Sequence, residues 1–130
     1  MTTRLSALIV ALGALSIAAP ARADLDANGN KYYENCIAAA AIIEGRASEK
    51  DYDKAPMCFG AITAVISLEP FLRPEYAMCP PQGNKISYGQ IVLVVATYLK
   101  NHPELLDQNF HMLAALALNT AWPCSDAKTR

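Results

Sequence analysis

Apolar residues recur at three- and four-residue intervals in four stretches of this chain, separated by turn-forming residues. Tyr33, Cys36, Ile37, Ala40 and Ile43 share one face of a helix over residues 31 to about 46. The alanine run at 38–41 adds helix propensity with little bulk, and Gly45 is a natural stop. Ser48 is an N-cap candidate with Asp51 in the first turn. The second helix therefore starts near Asp51 or Ala55, and Pro56, which fits best in a first turn, favours the later start. Its face is Cys58, Phe59, Ile62, Val65 and Ile66, and it ends near Leu68. The third helix, from Ser87 or Tyr88 to Lys100, aligns Tyr88, Ile91, Val92, Val95, Tyr98 and Leu99. Residues 91–95 have strand propensity, but nothing else in the chain reads as a partner strand. The fourth runs from Pro103 or Glu104 to about Ala121, with a stripe of Leu106, Phe110, Leu113 and Ala117 widened by Leu105, Met112 and Leu116. Leu93, Val94 and Leu118 exceed a single stripe, which suits burial on two sides or a subunit interface.

Two breaks punctuate this pattern. From Glu69 to Lys85 the period dissolves, and Pro70, Pro74, Pro80, Pro81 and Gly83 forbid a long helix. An irregular segment of that length is either functional or a tethered connector. At Asn101-His102-Pro103-Glu104 one helix ends and the next begins. Pro103 keeps His102 out of helical geometry, and Asn101 with Glu104 has capping-box spacing. His102 as a general base is the weaker reading, because His111 lies nine residues on and shares no neighbouring turn.

The N-terminus changes the picture. Arg4 precedes an apolar run from Leu5 to Ala19, and Ala21-Arg22-Ala23 has the form of a cleavage site. Residues 1–23 read as a secretory signal peptide, too short and wrongly flanked for a membrane span. Residues 24–130 are then expected to form a single domain of an exported protein. Without Arg4 and Arg22 that domain has nine basic and twelve acidic residues, a net charge of −3. Such a balance disfavours nucleic acid or an anionic membrane surface as partner.

Four cysteines, Cys36, Cys58, Cys79 and Cys124, read as two disulfides in an exported chain, and spacing alone leaves three connectivities open. No C-x-x-C and no histidine cluster supports a metal site, so no metal and no cofactor is expected. Ser67, Ser87 and Ser125 lack a nucleophile elbow, and no Gly-rich loop could cradle phosphate. No catalytic residue is assigned, and Trp122 beside Pro123 reads as a core plug at a helix end.

The segment YLKNHPELLDQNFHMLAALALNTAWPC, residues 98–124, resembles the C-terminal signature of the Rap/Tai family of immunity proteins, small exported proteins that accompany type VI secretion effectors. Tyr98, Leu99, His102, Pro103, Glu104, Ala115, Leu116, Pro123 and Cys124 carry the match. CFGAI at 58–62 resembles the family's Cys-x-Gly element, and CPP at 79–81 its Cys-x-Pro element. Ala61 replaces the usual aromatic, and Ala64 a second glycine. The resemblance implies an all-helical, disulfide-linked periplasmic protein, often a homodimer, that binds and occludes a peptidoglycan amidase effector. The alternative is an acid-responsive periplasmic chaperone, for which two histidines make a weak switch.

Pairing the helices into two hairpins resolves the cysteines. A turn near residues 47–48 sets Cys36 opposite Cys58, and a turn at 101–103 brings the start of helix three, with Cys79, to the end of helix four, with Cys124. The fold class expected is therefore an all-α, four-helix domain of two hairpins, stapled by Cys36–Cys58 and Cys79–Cys124. The partner-binding site expected is the tip of the long loop, Gln82, Asn84, Lys85 and Tyr88, stiffened by prolines and presenting amide, ammonium and phenol groups to a polar cleft. The competing surface is the charged turn with Glu49, Asp51 and Asp53.

Overall fold

A computed structural model describes residues 27–80 and 86–124. The proposed signal peptide lies outside the described residues. Four α-helices make up the fold: α1 Gly29–Ile43, α2 Glu49–Leu68, α3 Tyr88–Asn101 and α4 Phe110–Ala121. Short 3-10 turns at Glu69–Phe71, Pro74–Tyr76 and Pro103–Leu105 fill the connections. Among the described residues the only β pairing is a single bridge between Asn28 and Asn109.

α1 and α2 form one antiparallel hairpin, α3 and α4 the other, and α1 touches all three of its neighbours. The alanine run makes that central position possible. Ala38, Ala39, Ala40 and Ala41 are all buried, and their lack of bulk lets α2 and α3 come close. Cys36 and Cys58 meet across the first hairpin at a Cα separation of 5.1 Å, both fully buried. Cys79 and Cys124 meet at 4.9 Å. The remaining core is Ile62 and Val65 from α2, Val92, Val95 and Leu99 from α3, and Phe110, Leu113 and Leu118 from α4. Trp122 packs on its edge as a helix-end plug, and its carbonyl accepts from the Cys79 N–H at 2.9 Å.

Several boundaries differ from the sequence reading. α1 starts at Gly29 under an Asn28 cap, whose side chain accepts from the Lys31 N–H at 3.0 Å. It ends at Ile43, before Gly45 at φ +70° turns the chain. α2 begins at Glu49, not at Ala55. The Ser48 N–H and hydroxyl both donate to the Asp51 carboxylate, at 2.6 and 2.8 Å, so the capping signal outweighs the proline. Pro56 consequently sits inside the helix, where it cannot donate to the Tyr52 carbonyl; both residues are exposed, so water can reach that carbonyl.

The fourth helix starts at Phe110, seven residues after Pro103. Its cap is Asn109, whose side chain accepts from the N–H groups of His111 and Met112 at 3.0 and 3.3 Å. Asn101 is the last residue of α3 and does not cap. Tertiary bonds explain the delay. Gly29 and Asn30 donate to the carbonyls of Gln108 and Leu106 at 2.9 and 2.8 Å, and Phe110 donates to Ala27 at 2.7 Å. These bonds stitch the entry of α1 to the residue 106–110 turn and hold it out of the helix.

Candidate partner-binding surface

The loop after α2 is ordered by local geometry and three anchors. The 3-10 turn at Glu69–Phe71 closes with Leu72 N–H donating to Glu69 at 3.1 Å. In the next turn Tyr76 N–H donates to Arg73 at 2.9 Å. Pro74 opens its turn and Pro70 is the second residue of the other, positions where the missing N–H has no partner within the turn to lose. The Asn119 amide donates to the Ala77 carbonyl, Cys79 N–H reaches Trp122, and the Cys79–Cys124 bridge fixes the far end to α4. The loop is thus a braced shelf across the ends of α2 and α4.

The shelf carries a groove of about 440 Å³, lined by apolar residues that include Val65, Leu68, Phe71, Leu72, Tyr76 and Met112, and by Arg73 and His111. Phe71 is 83% exposed, and Leu68 and Met112 are each half exposed. Arg73 faces Glu75 at 3.6 Å, with both side chains in solvent. Sequence periodicity missed this cluster, because 3-10 turns have no amphipathic repeat. The available signal was Phe71 between Pro70 and Pro74, an aromatic that no helix could carry into the core.

Of the loop-tip residues expected to bind, Gln82, Asn84 and Lys85 lie outside the described residues. Tyr88 opens α3 and is 39% exposed. Its hydroxyl donates to the Phe59 carbonyl at 2.6 Å and lies 3.0 Å from the Thr63 hydroxyl, so it ties the start of α3 to α2. In the competing charged turn, Asp51 belongs to the cap of α2, and its bonds from the Ser48 N–H and hydroxyl hold its carboxyl below the ordinary value. Lys54 bonds Glu34 at 2.7 Å, across to α1, and lowers that carboxyl too.

The His-Pro-Glu corner is a compact polar turn. His102 Nδ1 lies 3.0 Å from a Glu104 carboxylate oxygen, and the Tyr98 ring packs on the imidazole at a centroid distance of 4.3 Å. Glu104's own N–H, then His102, hold its carboxyl below the usual value. Burial, with the Glu104 charge adding to it, raises the Tyr98 phenol. A shallow groove of about 350 Å³ between α3 and α4 has Leu93, Val94, Tyr98 and His102 in its wall. His111 is separate: it packs edge-on to Tyr32 and Phe110. Both disulfides are formed, so all four thiols are committed. Among the described residues no group of acidic, cysteine or histidine side chains could hold a metal ion. No helix among them is long and apolar enough to cross a membrane.

The model of the Rap1a immunity proteins matches residues 28–124 of this chain. The chain belongs to the Rap1a immunity protein family. The match begins at the Asn28 cap of α1 and ends at Cys124, so it spans all four helices and both disulfides. No curated protein and no solved structure matches the chain. Family membership makes a cognate effector the expected partner, and it directs attention to surfaces that bind protein.

Proposed function

We propose that this protein is a periplasmic immunity protein of a type VI secretion system, and that it binds a peptidoglycan amidase effector and covers its cleft. The family match over residues 28–124 carries this reading. The chemistry of the chain agrees with it. Protection comes from binding: the thiols are bridged, and the two histidines stand apart, one against Glu104 and one against Tyr32 and Phe110. The sequence of residues 1–23 supplies the export signal, and a homodimer is the proposed assembly.

The inhibitory element is the loop between α2 and α3, with Gln82, Asn84 and Lys85 near its tip. The braced shelf at 69–80 supports this assignment. The segment 69–79 that leads to the tip is held by two 3-10 turns, an amide bond from Asn119 and a disulfide to Cys124, and a braced approach of this kind reduces the freedom lost on binding. The test is inhibition of the amidase and protection of a target cell. The double variant Asn84→Ala, Lys85→Ala is expected to weaken inhibition at least about tenfold, about 1.4 kcal/mol, with unchanged melting. Full protection by that variant would show that another surface meets the enzyme.

A further inference from the structure

The antiparallel bridge between Asn28 and Asn109 joins the entry of α1 to the entry of α4. The bonds around it give the direction of the chain. Gly29 donates to Gln108, and Phe110 donates to Ala27. Each step back along the first segment is therefore a step forward along the second. Continued past Ala27, the same course runs toward His111 and Met112, and both line the groove of the shelf. The three residues ahead of Ala27 are Asp24, Leu25 and Asp26, which lie outside the described residues. Three extended residues reach about 10 Å. That is roughly two turns of helix, the length along which α4 sets His111, Met112 and Ala115 beside the groove.

Groove and segment are complementary in polarity and in charge. The groove is lined by apolar side chains together with Arg73 and His111, and no described carboxylate lines it. Leu68, Phe71 and Met112 are exposed there, an apolar patch of the kind that marks a contact surface. Arg73 faces Glu75 at 3.6 Å with both side chains in solvent, and so open a pair holds the guanidinium weakly. The segment offers one large apolar side chain between two carboxylates. Neighbouring side chains of an extended chain point to opposite sides, so Leu25 can face the groove while Asp24 and Asp26 stay at its mouth. We propose that residues 24–26 close over the groove as a strap, with Leu25 packed among Leu68, Phe71 and Met112 and the two carboxylates meeting Arg73. The strap covers apolar surface that otherwise faces water, and it ties the start of α1 to the shelf that leads to the loop between α2 and α3. The inference goes beyond the immunity reading and does not depend on it.

The test uses the protein purified after export, by nuclear magnetic resonance and by binding of the apolar anionic dye 1-anilinonaphthalene-8-sulfonate. The Leu25 methyls should show Overhauser contacts to the Phe71 ring and to the Met112 methyl. Leu25→Ser should uncover the groove and tighten dye binding at least about fivefold. Adding Phe71→Asp to that variant should abolish the gain, which places the dye in this groove. Absent contacts from Leu25, or equal dye binding by the wild type and Leu25→Ser, would overturn the proposal. Isotope-filtered spectra of mixed labelled and unlabelled protein separate the other occupants. Contacts to Phe71 that arise only between molecules would give the groove to a second copy. Contacts to Phe71 that arise only when the amidase is added, with Leu25 in water throughout, would give it to the enzyme; either result ends the strap.

Discussion

Gly29 shows how closely this small core is packed. A Cβ at that position would lie 2.8 Å from the Leu113 side chain and 3.0 Å from the Leu106 Cα. The leucine tip can rotate, but the backbone of 106 is held by its bond from Asn30. Gly29→Ala is therefore expected to destabilise the fold by about 1–3 kcal/mol, the usual range for overpacking, measured by urea unfolding. A second residue-scale prediction concerns acid. The bonds from Ser48 hold the Asp51 carboxyl below its unfolded value, so its contribution is present above about pH 4 and fades as pH falls through the folded value. Glu34 and Glu104 shift in the same direction. Melting temperature should fall on acidification below about pH 4.5, and Asp51→Asn should lower it at pH 7 while flattening that acid limb. An Asp51→Asn profile parallel to the wild type would remove the cap from the explanation.

At the scale of elements, α2 carries a proline that its own helix does not need. Pro56 is exposed and interior, and it forfeits a helix bond. Pro56→Ala should stabilise the protein by about 1–3 kcal/mol with an unchanged denaturant slope. The helices differ in how openly the sequence announced them. The α1–α2 and α3–α4 pairings were legible, because residues equidistant from a turn must face one another, and both disulfides followed from that. The start of α2 was legible in Ser48 and Asp51 but was outvoted by Pro56, which the exposed side of the helix tolerates because water can reach the carbonyl it leaves unbonded. The start of α4 was not legible. Pro103 and Glu104 mimic a helix entrance, and the bonds from Gly29, Asn30 and Phe110 that delay it join residues about eighty positions apart. The groove was hidden for a related reason: Leu68, Phe71, Tyr76 and Met112 come together only once the shelf is folded.

For the whole molecule, the two disulfides divide the work. Cys36–Cys58 is buried and clamps the central hairpin, while Cys79–Cys124 lies at the surface and braces the shelf. The second bridge closes a loop of sequence separation 45, worth about 4 kcal/mol if loop entropy alone counted, although measured values are often smaller. Cys79→Ser with Cys124→Ser should cost about 2–4 kcal/mol. At temperatures where the variant is still folded, the inhibitory role proposed for the loop predicts a loss of potency as well, because a loop without its brace has more freedom to lose on binding. Undiminished potency in a fully folded double serine variant would mean that the brace serves stability only.

The order of the bridges along the chain has a consequence for biogenesis. The first cysteine pairs with the second and the third with the fourth, so the connections neither cross nor nest. If the chain is exported N-terminus first into an oxidising compartment, as proposed, it meets each correct partner before any wrong one is within reach. Cys36 and Cys58 can close before Cys79 arrives, and the last pair is then the sole remaining choice. Maturation of such a chain requires an oxidant but no proofreading of mispaired thiols. A protein that must be ready before its toxin arrives gains a short route to the active form.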